Sequence, residues 1–212
     1  MLTVVLAGLR AHRLRLALTS LAILLGVAFV SGTFVLTDTI EAGVAQRITA
    51  DAAKIDVAVR PGAAADPDQP HVLPASALAR VRAVAGVADA QGLVRGRVTL
   101  LGKDGKAVGS VPPRGISIPD GPVNRIVITS GRAPAGAGQA VLDENTAKTR
   151  GFRLGDRITV LDPADVRHEF TLVGLFEVGV DPELAFAGAV GFTTETALRL
   201  TGEQGYREID VV

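Results

Sequence analysis

The chain of 212 residues contains no cysteine. Disulfides, thiol catalysis and cysteine-based zinc sites are excluded, so any exported part must be held by its core alone. Lys and Arg together number 22, as do Asp and Glu, which leaves a formal net charge of zero. That balance offers no case for a nucleic-acid surface or an acidic tail. Nucleotide and hydrolase signatures are missing as well. Gly102-Lys-Asp-Gly-Lys106 has neither the spacing nor the hydroxyl of a phosphate-binding loop, and Gly136-Ala-Gly-Gln139 lacks the third glycine of a dinucleotide fingerprint. No Gly-x-Ser-x-Gly elbow occurs.

Histidines number three: His12 in a basic flank, His71 in a proline-rich loop, and His168. Asp162, Asp165 and His168 are spaced by three and could be drawn as a metal cluster. Pro163 forbids a regular helix through them, however, and they connect two apolar strands, Ile158–Leu161 and Phe170–Val173; a polar hairpin loop is the expectation. Asp143 and Glu144 are adjacent carboxylates, but Asp143 opens a helical stretch and is expected to be its N-cap. These residues point away from an enzyme, and neither a cofactor nor a metal site is expected in this chain.

What the sequence does have is one long apolar run. Leu16 to Leu36 carries no charged residue. A helix of this length crosses a hydrocarbon core about 30 Å thick. Arg10, Arg13 and Arg15 precede it, whereas Asp38 and Glu41 follow, an asymmetry that places the N-terminus in the cytoplasm and the rest outside. A buried core helix is rarely apolar all round. A cleaved signal peptide has a shorter apolar centre and a close cleavage site, and the nearest candidate, Ala50-Asp-Ala52, lies too far downstream. Ala22 and Gly26, and again Ala28 and Gly32, set small residues one turn apart as notches for another helix. Residues 1–15 read as a basic amphipathic lead-in along the inner membrane face, with Leu2, Val5, Leu6 and Leu9 at helical spacing. Residues 37–54 read as a helical stalk, with Ile40, Val44 and Ile48 at steps of four.

Residues 55–212 read as one extracytoplasmic domain. Ile55 to Arg60 alternates like a half-buried strand, and Pro61 to Pro70 reads as a loop. Pro74 to Ala85 fits a helix with Leu78, Val81 and Ala85 on one face, stopped by Gly86. Leu93–Leu101 and Ala107–Ile118 flank Lys103-Asp-Gly-Lys106 as a hairpin. Asp181-Pro182 reads as a loop, Phe186–Phe192 as a strand, Thr194–Thr201 as a helix and Arg207–Val212 as a strand. That final apolar pattern has no closing polar tail, and the chain is expected to be the N-terminal part of a longer one.

Between them lies GRAPAGAGQAVLDENTAKTRGFRLGDRITV, residues 131–160. Gly131 and Pro134 set a turn, Gln139–Leu142 a strand and Asp143–Arg150 a helix. Gly151 is expected as a left-handed cap, and Gly155-Asp156 turns the chain into a strand at Arg157–Leu161. Phe170–Phe176 pairs back on that strand. This is a small, mostly β module with one helix.

The same segment resembles the FtsX-like permease family of ABC transporters, in particular its MacB-like periplasmic core domain. The likeness rests on Gly131, Arg132, Pro134, Val141, Leu142, Ala147, Gly151, Leu154, Gly155, Asp156, Ile158, Val160, Val173 and Gly174, in the family's order. Gln139 stands where the family usually has Glu. The resemblance implies an α+β protein, with one N-terminal transmembrane helix followed by a mixed extracytoplasmic domain that contains the module. It further implies a permease subunit that couples ATP hydrolysis by a separate cytoplasmic ATPase to movement of the extracytoplasmic domain. ATP would then sit on the partner. Ala22, Gly26, Ala28 and Gly32 would pack against further permease helices or a second copy. The alternative is a membrane-anchored extracytoplasmic binding or regulatory module without transport activity.

Overall fold

The computed structural model describes residues 13–52, 54–62, 72–121, 123–179 and 181–212. Most of the expected lead-in, with His12, and most of the proline-rich loop, with His71, lie outside the described residues. The chain divides into two units, 1–46 and 47–212, each taken by itself.

The first element, α1 (Arg13–Ala52), is a single unbroken helix of 40 residues. Its stretch from Ala17 to Ile40, 24 residues of mean hydropathy 2.1, has no buried side chain. Leu24, Leu25, Phe29 and Phe34 are all more than 60% exposed. So much continuous apolar surface is unfavourable in water and is satisfied by a bilayer or by neighbouring helices. The hydroxyls of Thr33, Thr37 and Thr39 each donate to the carbonyl four residues earlier, at 2.9, 3.0 and 2.7 Å. Those polar groups are therefore satisfied within the helix, as a hydrocarbon environment requires. The apolar stretch thus runs four residues beyond the expected Leu36.

The second unit opens with β1 (Val57–Val59), β2 (Leu73–Pro74) and α2 (Ala75–Arg82), followed by β3 (Ala90–Leu93), β4 (Arg95–Arg97), β5 (Thr99–Leu101) and β6 (Arg114–Ser117). Then come β7 (Val127–Gly131), β8 (Gln139–Asp143), α3 (Glu144–Arg150), β9 (Arg157–Leu161) and β10 (Arg167–Glu177). It closes with α4 (Pro182–Ala187), β11 (Ala189–Phe192), α5 (Thr194–Thr201), β12 (Gly205–Tyr206) and β13 (Glu208–Val211).

An eight-stranded mixed sheet forms the body, in the order β4-β6-β11-β8-β10-β9-β5, with β7 added to β10. Its centre is β8, parallel to β10 and antiparallel to β11. Alternation along β8 sends Ala140 and Leu142 into one apolar cluster and Val141 into another. A strand buried on both faces reads as a continuous apolar run, which is what Ala140-Val-Leu142 is. The larger cluster includes Leu100, Val160, Leu172, Phe192 and Leu200. In it the rings of Phe170 and Phe192 tilt against each other at 4.8 Å. The smaller cluster joins Ile116, Ile118, Phe176, Leu184 and Ala189. A second sheet, β1-β13-β3, places the last strand between two from the beginning of the domain.

Several expected elements change. Leu93–Leu101 is not one strand: it is divided among parts of β3, β4 and β5, which enter different sheets or opposite edges of one. The turn at Lys103–Lys106 does form, closed by Gly102 N–H donating to the Lys106 carbonyl at 2.7 Å. The strand beyond it is confined to Arg114–Ser117, since Pro112 and Pro113 cannot donate to a ladder. Asp181-Pro182 starts a helix: the Asp181 carboxylate accepts from the N–H groups of Glu183 and Leu184, and Pro182 supplies the first turn. Phe186 is consequently helical and 77% exposed, and the following strand begins only at Ala189. In α2, Ala77 joins Leu78 and Val81 against the core in place of the expected Ala85, because the helix ends at Arg82.

Candidate functional site

The 131–174 segment folds locally as its residues dictate. Asp143 caps α3 by accepting from the Thr146 N–H at 2.8 Å, and Gly151 closes the helix at φ 71°. The second Asp143 oxygen accepts from the Ala189 N–H at 2.9 Å, tying the cap to β11. Gly155 takes φ 88° in the turn before β9, and its N–H donates to the Leu172 carbonyl. Asp156 accepts from the Arg153 N–H at 2.9 Å and pairs with Lys103 at 2.8 Å. The Lys103 ammonium first, and then the Arg153 N–H, hold that carboxyl below its ordinary range. Lys103 comes from the β5 turn, so one ion pair joins the glycine-rich motif to a distant loop.

Arg132 donates to the Gln139 side-chain oxygen at 2.9 Å, and the same oxygen accepts from the Ala135 N–H at 3.0 Å. Gln139 therefore closes the loop that contains Pro134. Gly131 and Gly174 are opposite one another in the β7–β10 ladder. Gly131, Arg132, Pro134, Gly151, Gly155, Asp156 and Gly174 thus occupy turn, cap and ladder positions. Their strands are continuous with the eight-stranded sheet.

Asp162, Asp165 and His168 occupy the β9–β10 hairpin, as expected. Asp162 accepts from the Ala164 and Val166 N–H groups and contacts His168 Nε2 at 2.9 Å. His168 first, and then the Val166 N–H, lower the Asp162 pKa. Among the described residues no group of three His, Asp or Glu is placed to hold a metal ion. On α1, Gly26 and Gly32 have open space around them. At about 100° per residue, the Ala22–Gly26 pair lies roughly 120° around the helix from the Ala28–Gly32 pair. Each pair would therefore need its own neighbour.

Two charged clusters escape the sequence reading. Arg95 pairs with Asp181 at 2.5 Å and with Glu183 at 3.2 Å, and Arg114 takes the other Glu183 oxygen at 2.5 Å. Burial raises the Asp181 carboxyl, but the Leu184 N–H and Arg95 outweigh it and the net shift is downward. On β13, Glu208 pairs with Arg60 and with Arg125, both at 2.8 Å. Asp210, which is fully buried, meets Arg125 at 2.9 Å. Burial, and then the hydrogen bond with Glu208, push Asp210 up to about 7 against the pull of Arg125. Glu208 moves down, because Arg60, Asp210 and Arg125 together overcome its burial. The only local signal was two acids two residues apart in an otherwise apolar strand, which a period of two puts on one face.

No curated protein matches the chain. Among solved structures, the periplasmic region of MacB from Actinobacillus actinomycetemcomitans is similar at TM-score 0.53 and 18% identity, over 76% of each chain. The extracellular domain of the noncanonic ABC-type transporter YknZ from Gram-positive bacteria is similar at TM-score 0.50 and 11% identity, over 73% of this chain and 81% of that one. At such identities these likenesses establish the fold. The profile of the MacB-like periplasmic core domain matches residues 16–211, which include the apolar part of α1 as well as the mixed domain. The chain belongs to the MacB-like periplasmic core domain family of ABC transporter permeases.

Proposed function

We propose that this chain is the N-terminal portion of a permease subunit whose extracytoplasmic domain is moved by a separate cytoplasmic ATPase. The observation that carries the reading is the family match across both α1 and the mixed domain. The N-terminus is cytoplasmic in this reading, because Arg13 and Arg15 flank the apolar stretch on one side and Asp38 lies toward the other. The continuous helix Arg13–Ala52 supports it, since a helix carries displacement over its length better than a flexible linker. The chain binds no nucleotide itself, and ATP belongs to its partner.

The test is affinity purification of the full-length gene product from its native membrane, with mass spectrometry of what accompanies it. Co-purification of a protein bearing Gly-x-x-x-x-Gly-Lys-Ser/Thr is the expected result. Recovery without any such ATPase, from membranes where the chain is correctly inserted, overturns coupling and leaves an anchored binding module. A phosphatase reporter joined after Val212 is expected to be active; an inactive reporter reverses the orientation.

A further inference from the structure

The two charged clusters border two cavities in the mixed domain. The larger, about 930 Å³, has apolar walls from Leu93, Val94, Ile116, Ile126, Val178 and Leu184. The smaller, about 350 Å³, is bordered by Arg95, Arg97, Arg114, Glu203 and Arg207. Arg95 and Arg207 line both, so the cavities adjoin. The volume of the larger falls in the range of ligand sites, which are mostly apolar with a few placed polar groups; the smaller is lined mainly by charged side chains.

The cations around them sort into matched and unmatched. Arg60 and Arg125 are taken by Glu208 and Asp210, and Arg95 and Arg114 by Asp181 and Glu183. Arg97 and Arg207 make no ion pair with any described residue, and both border the smaller cavity. In the smaller cavity Glu203 is the one acid outside those pairs, so an excess of positive charge remains at that end, while Glu177 lies on the wall of the larger cavity. The buried Nε of Arg114 also lacks an acceptor. A wholly apolar ligand would leave these donors unused. A guanidinium, by contrast, is shaped to hold a carboxylate or phosphate through paired hydrogen bonds.

We propose that the adjoining cavities form one binding site for a single-chain amphiphile. Its hydrocarbon chain lies in the larger cavity and its anionic head, a carboxylate or a phosphate monoester, meets Arg97 and Arg207 in the smaller. The site is contained within the mixed domain and does not depend on whether an ATPase drives the chain.

The test uses the full chain in phosphatidylcholine nanodiscs and three photoreactive diazirine probes sharing one 16-carbon chain. One ends in a carboxylate, one in a phosphate and one in a hydroxyl. Adducts are mapped by mass spectrometry, which separates cavity labelling from labelling of residues 17–40 by probe dissolved in the bilayer. The carboxylate or the phosphate probe is expected to label the cavity walls at least tenfold more than the alcohol; which of the two leads identifies the head group. The double change Arg97→Ala/Arg207→Ala should bring anionic labelling down to the alcohol level. Both side chains are exposed, so the fold should survive. Val127→Trp, at the wall of the larger cavity, should block labelling by steric filling. Equal cavity labelling by alcohol and anion, or adducts confined to residues 17–40, overturns the proposal. Loss of ATPase co-purification with cavity labelling intact would leave this site standing and sink only the coupling.

Discussion

Gly131 and Gly174 oppose each other so tightly across the β7–β10 ladder that neither position has room for a methyl group. A Cβ on Gly131 would overlap the Val173 carbonyl oxygen, and one on Gly174 would overlap that of Arg132. Both obstacles are backbone, so neither can rotate away, and Gly131 also takes φ 74°, where side chains are disfavoured. Gly131→Ala and Gly174→Ala should each cost about 2–3 kcal/mol, read as a fall of roughly 5–10 °C in unfolding temperature. Gly136, with nothing near its Cβ, is the control: Gly136→Ala should leave the melt unchanged. Equal melts for all three would refute the packing account.

Asp143 serves two donors with two oxygens. Asp143→Ala removes a helix cap, worth about 1 kcal/mol, and leaves the Ala189 N–H buried without a partner, worth about 1–3 kcal/mol more. Asp143→Asn should recover only part of the loss, because an amide has one acceptor oxygen and would turn its NH₂ toward the second donor. Full rescue by Asn in a denaturant melt would show that only one of the two bonds matters.

Asp210 imposes a pH dependence whose sign is definite. Its carboxyl titrates near 7 in the folded chain and near 3.9 when unfolded, so across that window the folded state binds the extra proton. Stability therefore falls as pH rises toward 7. Glu208 and Asp181, shifted down, act oppositely and lose stability as pH falls through the carboxylate range. The domain should melt higher at pH 5 than at pH 8, and Asp210→Asn should flatten that difference. An unchanged slope in the variant would assign the dependence to other groups.

Ala28→Leu/Gly32→Leu adds bulk where the helix now presents a notch, and it leaves the stretch as apolar as before. Membrane insertion should be normal while the assembly seen on native gels weakens. Because Ala22 and Gly26 lie on another part of the circumference, Ala22→Leu/Gly26→Leu should affect a different contact. Intact assembly in both variants would mean that the small residues are incidental.

Features set by a few neighbouring residues were legible from the chain alone. Asp143 before a helix, Gly151 after it and the Lys103–Lys106 turn all formed as expected, because capping and turn geometry are decided within four or five residues. The same rules cover α4, where Asp181-Pro182 is an N-cap followed by a first-turn proline and not the expected loop. Leu93–Leu101 was not legible, because its three strands pair with β6, β9 and β13, and Leu93 meets Glu208 across 115 positions. The candidate cavities were hidden for that reason too. Arg60 meets Glu208 across 148 positions and Arg125 meets it across 83, and no local pattern announces such pairs.

The position of β13 sets a schedule for synthesis. Among the described residues β1 pairs with β13 alone, and β3 joins the small sheet through it. Val57–Val59 must therefore wait while about 150 further residues are made, on the order of 10–30 s at common rates of translation. Contacts between residues so far apart in sequence are slow to form as a class, so this small sheet is expected to close late.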